Sequence, residues 1–159
     1  MTWNSASLFG AFATTPGRAD AKRRLATKLF DCHKIAFFQE TRGTAGDLAS
    51  LPPSHLHFGS FLSPDEVVGS SQSGGIVTSI RKGLIDKVHT ISERFFSAGR
   101  CHGLRIAGQS LPVLCINIHL NPQWTYLQKK HVLIAISKHI QLHRAAILFL
   151  GGEWNFNHS

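Results

Sequence analysis

The 159-residue chain is 43% hydrophobic and 16% charged, which excludes a disordered or fibrous chain and suits one folded domain. Its 17 Lys and Arg outnumber its 9 Asp and Glu, and the formal charge of +8 favours a polyanionic partner, nucleic acid or an anionic membrane surface. Three cysteines, Cys32, Cys101 and Cys115, supply neither a disulfide framework nor a CxxC knuckle, and no run of about 18 apolar residues predicts a membrane helix.

The start, "MTWNSASLFGAF", has no charged n-region and no long apolar core, so no signal peptide is expected. A reducing intracellular compartment, nucleus or cytoplasm, fits the cysteine usage. "TWNS" reads as a short strand ending near Ser5. "TTPGRADAKRRLATKLFDC" reads as a helix entered at Pro16-Gly17, with Ala21, Leu25 and Leu29 on its buried face and Lys22, Arg23 and Lys28 in water. "KIAFFQE" has no alternation and predicts a strand covered on both faces. "PPSHLHFGSFLSP" predicts a short strand on which His55 and His57 share a solvated face.

"GSSQSGG" at 69–75 lacks a phosphate loop's GK[ST] ending and reads as a flexible turn. "SQSGGIVTSIRKGLIDKVHTI" predicts two strands joined at Lys82-Gly83, and "HGLRIAGQSLPVLCINIHL" two more joined at Gly108-Gln109-Ser110. In the last of these, Leu114, Ile116, Ile118 and Leu120 face one way. Val113, Cys115, Asn117 and His119 face the other. "YLQKKHVLIAISKHIQLH" predicts a helix with a Val132, Leu133, Ile136 and Ile140 core stripe and with Lys129, Lys130, Lys138 and Gln141 outside it. His131, His139 and His143 on it read as surface histidines. "RAAILFL" closes the series as a continuous apolar strand. The order of elements is α/β with antiparallel hairpins in the middle.

Three strands end in polar groups: Glu40 after "IAFFQ", His119 and Asn121 after "LCINI", and Glu153 and Asn155 after "ILFLGG". Ligands collect beyond strand carboxyl ends in α/β sheets. Two carboxylates, a histidine and amides meeting there could hold a hard divalent cation through oxygen, and that set suits phosphodiester hydrolysis. Gly151-Gly152 would let the strand end turn sharply and a phosphate approach the backbone. Read alone, Glu40 and Glu153 could equally be ordinary strand-end charges in water.

The blocks "TWN", "FFQET", "GGIVTSIRKG", Gly99-Arg100, "NIHLNP" and "FLGGEWNFN", taken in order, resemble the endonuclease/exonuclease/phosphatase superfamily. That group includes apurinic endonucleases, DNase I-like enzymes and retrotransposon endonuclease domains. The resemblance implies a DNase I-like four-layer α/β sandwich, with mixed, mostly antiparallel sheets and flanking helices. It implies a magnesium-dependent site, with manganese as the substitute ion. Glu40 and Asn4 match the metal-binding positions. His119 matches the position that assists proton transfer or holds the phosphate, and Asn155 the amide that contacts the scissile phosphate. Members act on nucleic acids, phospholipids or inositol phosphates, among which the charge does not choose; nucleic acid is the leading expectation.

Two departures accompany the likeness. Glu153 stands where the family has the water-orienting aspartate; the extra methylene moves the carboxylate by about 1 Å, against a tolerance of about 0.5 Å at reacting groups. The family also continues past this block with strands that complete the second sheet and carry a closing Asp-His pair. The chain is therefore expected to be a single domain over 1–159 that is C-terminally incomplete, with an exposed apolar patch and an unpaired strand edge that invite self-association or a partner chain. The rival expectation is a non-catalytic remnant of the fold that binds nucleic acid or needs such a partner. Trp124 and Trp154 are expected to pack in the core, with base stacking as the alternative.

Overall fold

A computed structural model describes residues 1–6, 8–9, 16–62, 74–85, 90–108, 111–144 and 146–156. In chain order these form β1 (Thr2–Asn4), α1 (Pro16–Cys32), β2 (Ile35–Gln39), β3 (His55–Ser60), β4 (Ile76–Arg81), β5 (Thr90–Ser97), β6 (Cys101–Ala107), β7 (Val113–His119), α2 (Tyr126–Leu142) and β8 (Ile147–Glu153). The strands make two four-stranded sheets, ordered β1-β2-β4-β3 and β5-β6-β7-β8. Each has one parallel pair at one margin, β1 with β2 and β7 with β8, and antiparallel pairs elsewhere.

The two-residue period of the strands sorts side chains into layers. Ala36 and Phe38 of β2 join Val77 of β4 beneath Ala26 and Phe30 of α1. Phe37 points the other way, into a cluster with Ile80, Leu104, Ile106 and Cys115 between the sheets. Leu114, Ile116 and Ile118 of β7 pack outward against Ile136 of α2, with Val132, Leu133 and Ile140 around them. The result is helix, sheet, sheet, helix: the four layers that the resemblance implies, with the two faces of β7 that the pattern predicts. Thr125 caps α2, accepting from the Gln128 N–H at 3.3 Å, while Gln128 Oε1 accepts from the Thr125 N–H.

Several local expectations are corrected. The buried side of α1 carries Ala26 and Phe30, whereas Leu25 is 45% exposed and Ala21 is also exposed. The aromatic ring, not the i+4 leucine row, sets the face, because Phe30 fills the space over β2 and β3. Lys22 is half-buried and donates to the Ser5 and Ala6 carbonyls. Lys129 is buried and donates to the Asn155 carbonyl at 2.7 Å. The solvated-face reading of His55 and His57 fails for the same reason as the α1 face. The Phe30 ring lies 5.1 Å from His55 and 5.4 Å from His57. Their ring nitrogens are met by Ser54, the His33 carbonyl, Ser79 and the Pro52 carbonyl.

Lys82-Gly83 does not close a hairpin. Lys82–Leu84 is a 3-10 turn, after which the chain passes from the first sheet to the second. Of the turn expected at 69–75, residues 69–73 lie outside the described residues, as do Gln109 and Ser110. His139 is half-buried, packed on Phe96 at 5.3 Å and His143 at 4.7 Å, while His131 is exposed. Trp124 and Trp154 pack against the α2 core cluster.

Candidate active site

The carboxyl ends of β2, β7 and β8 deliver Glu40, His119 and Glu153 to one place. One ligand atom from each lies within 4.8 Å of the others, so the three could hold a metal ion. His119 Nε2 stands 3.5 Å from Glu40 Oε1 and 3.7 Å from Glu153 Oε2. β8 runs parallel to β7 in a register that pairs His119 with Glu153, so neighbouring strands of one sheet carry these two residues. Glu40 comes from the other sheet. The site therefore straddles the sandwich, and its geometry depends on how the sheets are tied.

That tie is polar. Asn117, two residues before His119 and on the same inward face, is fully buried. Its Nδ2 donates to the Phe38 carbonyl at 3.2 Å and the Val77 carbonyl at 3.0 Å. Its Oδ1 accepts from Gln39 Nε2 at 2.7 Å. Thr2 Oγ1 in turn donates to Gln39 Oε1 at 3.1 Å. A buried amide so fully used fixes one sheet against the other. Glu40 follows directly, with φ of 52°. A left-handed, non-glycine residue costs on the order of 1 kcal/mol and persists where its surroundings enforce it. Here the N–H groups of Thr41 and Arg42 bond the Gly75 and Gly74 carbonyls at 3.0 and 2.9 Å.

The other expected residues arrive with distinct roles. Asn4 Nδ2 donates to Glu153 Oε2 at 2.5 Å, and Asn4 Oδ1 accepts from the Ala6 N–H at 3.1 Å. Asn4 therefore reaches the site as a brace on Glu153. Asn155 has φ of 45°, and its Nδ2 donates to the Leu120 carbonyl at 2.8 Å. It is anchored to the end of β7, with its own carbonyl held by Lys129. Asn121 closes a local turn, accepting from the Gln123 N–H at 3.0 Å.

The glycine pair has a packing reason, and Gly152, with φ of 144°, also makes the turn expected of it. A Cβ on Gly152 would sit 1.8 Å from the Ile118 carbonyl oxygen, and one on Gly151 would sit 2.7 Å from the Phe37 ring. The side chains that the sequence reading left without a role are Arg100, Asn117, Gln39 and Lys129. Asn117 carried a signal, a polar inward position in an otherwise apolar strand. Arg100 carried only its place in the Gly99-Arg100 block.

Arg100 is 4% exposed, and its Nη1 lies 2.9 Å from His119 Nδ1. Burial pulls the guanidinium down, and the Glu40 carboxylate pushes back. His119 is lowered to about 4, first by burial and then by the Arg100 charge, so its ring is neutral at pH 7. Its Nε2 is buried without a hydrogen-bond partner, since both carboxylates are too distant.

No protein-family model matches the sequence, and no curated protein matches it. Solved structures do. D. rerio TDP2, complexed with a single-strand DNA product, matches with a TM-score of 0.65 and 18% identity over 98% of this chain and 60% of its own. A mannosyl-6-phosphatase from Bacteroides thetaiotaomicron matches with a TM-score of 0.65 and 14% identity over 99% of this chain and 65% of its own. An endonuclease/exonuclease/phosphatase family protein from the same organism matches with a TM-score of 0.66 and 13% identity over 97% and 62%. The present chain thus spans about three-fifths of the length of these neighbours. Its fold is the one these neighbours share, a DNase I-like α/β sandwich.

Proposed function

Taking that fold as the premise, we propose that the chain is a metal-dependent phosphodiesterase module acting on nucleic acid. The observation that carries the reading is the convergence of Glu40, His119 and Glu153, from two sheets, with ligand atoms within 4.8 Å of one another. Two carboxylates with oxygen donors suit a hard divalent cation such as magnesium or manganese. Such an ion, when bound, supplies charge stabilisation to a phosphoryl oxygen and a site for an activated water.

The chain's own groups have separable tasks. Glu40 and Glu153 would hold the cation, and Asn4 keeps the Glu153 carboxylate in place through its amide N–H. Asn155 would contact the phosphate, held at the end of β7 by its bond to Leu120. Seventeen Lys and Arg against nine Asp and Glu supply the field that gathers a polyanion. The test is nicking of supercoiled plasmid by the purified chain with magnesium or with a chelator. Nicking with magnesium alone, abolished in Glu40→Gln, is the expected result; nicking that survives Glu40→Gln refutes the assignment.

A second reading is favoured by β8, whose Ile147, Leu148, Phe149 and Leu150 are 40–47% exposed at the margin of the second sheet. On that reading the chain binds nucleic acid without cleaving it, or is completed by a further polypeptide. DNA retention without magnesium-dependent nicking is its signature. Acquisition of nicking when a C-terminal half is supplied separates completion from simple binding.

A further inference from the structure

The nearness of His119 Nε2 to two carboxylates invites the view that it is a third metal ligand. The far side of the ring argues otherwise. Nδ1 lies 2.9 Å from Arg100 Nη1. A guanidinium carries only donors and is not deprotonated in proteins. Nδ1 must therefore accept, and in a neutral imidazole the proton then resides on Nε2. The usual partner of a metal-binding or basic histidine is a carboxylate or carbonyl, which takes the proton at one nitrogen and leaves a lone pair on the other. Arg100 imposes the reverse. Both groups are nearly or wholly inaccessible, and the backbone joins them as well, through the His119 N–H and the Arg100 carbonyl at 2.7 Å.

We propose that Arg100 is a positioning residue that fixes His119 as an Nε2–H donor, so that His119 is neither a metal ligand nor a base but a hydrogen-bond donor to an acceptor oxygen of the substrate. The protonated nitrogen is the one left without a partner, between Glu40 Oε1 at 3.5 Å and Glu153 Oε2 at 3.7 Å. On the proposed function, the partner it lacks is a phosphate oxygen, an acceptor only, reached when the two carboxylates part to take the cation. The substrate class rests on the proposed function, whereas the tautomer does not. The cation site is thereby reduced to its oxygen donors, Glu40 and Glu153.

The test reads the ring directly. In 15N-labelled, metal-free full chain at pH 7, a two-bond proton–nitrogen correlation spectrum, assigned with His119→Gln, should show His119 neutral and protonated at Nε2. Arg100→Lys, which keeps a donor, should retain that form. Arg100→Met should shift the ring toward the Nδ1–H form. A wild-type ring protonated at Nδ1, or at both nitrogens, overturns the proposal whether or not Arg100→Met folds. Cobalt(II) titration gives a second readout. His119→Gln should bind it within about twofold of wild type, while Glu40→Gln should lose about tenfold or more. A loss of about tenfold in His119→Gln restores the three-ligand site and refutes the donor role. If wild type binds no cobalt, the metal reading of the site fails, and the tautomer is still decided by the spectrum.

Discussion

β7 and β8 are paired in parallel over seven residues, from Val113 with Ile147 to His119 with Glu153, and both are rich in branched and aromatic side chains. Yet Leu114 to His119 of the first are all buried, while Ile147 to Leu150 of the second are 40–47% exposed. Composition does not separate them; cover does. β7 has a strand on either side, α2 on one face and the first sheet on the other. β8 has β7 on one side only and no strand beyond it among the described residues. The site takes one acid from each setting: Glu40 follows an inner strand of the first sheet, and Glu153 ends the marginal strand of the second, and both side chains are half-buried.

The largest effect expected from this contrast is catalytic. Glu40→Gln should reduce magnesium-dependent plasmid nicking by about a hundredfold or more, because it removes one of the two carboxylates that would hold the cation; a hundredfold is about 2.7 kcal/mol of barrier. Equal nicking by wild type and variant would break the comparison. The next is acid sensitivity of the covered region. Burial lowers His102 and His119 to about 4. The unfolded chain binds these protons near pH 6.5 and the folded chain only near 4, so stability is present above 6.5 and is lost as the pH falls toward 4. The loss should amount to several kcal/mol, at about 1.4 kcal/mol per unit for each ring. Urea midpoints across that window measure it, and His102→Gln should flatten part of the slope.

Packing comes third. Ile116→Ala, in the fully enclosed strand, should cost about 2–5 kcal/mol of unfolding free energy. Leu148→Ala, one strand away, should cost less than about 1 kcal/mol, since much of its surface is already wet. Similar losses at both would show that β8 is covered in solution. The smallest change is Leu148→Lys, expected to alter stability by about 0.5 kcal/mol or less while reducing any self-association seen by size-exclusion chromatography.

The sequence made the scaffold legible where periodicity was strong. The two faces of β7, the core stripe of α2 and the strand-end acids all followed from spacing. It failed where one large ring decided the packing. Phe30 turned α1 away from its leucine row and covered His55 and His57, and no local pattern encodes that reach across the fold. Lys22 and Lys129 looked solvated because residue type says nothing about a carbonyl waiting 17 or 26 residues away. The left-handed backbone of Glu40 had no signal, since such conformations usually fall on glycine or, as at Asn155, on asparagine. Arg100 shows the same limit chemically. Its partner is only 19 positions on, but the consequence for His119 depends on which nitrogen it meets.

Gly151 and Gly152 also make β8 a keyed strand. In the native ladder Gly152 lies opposite Ile118 and Gly151 opposite Asn117. Sliding the strand one step in one direction would set Glu153 opposite Ile118, where a Cβ collides with the carbonyl. Sliding it the other way would set Leu150 in the slot that the Phe37 ring fills. The exposed margin, which by composition should be the most prone to mispairing, thus resists a one-step slip in either direction, and the acid at its tip inherits that fidelity.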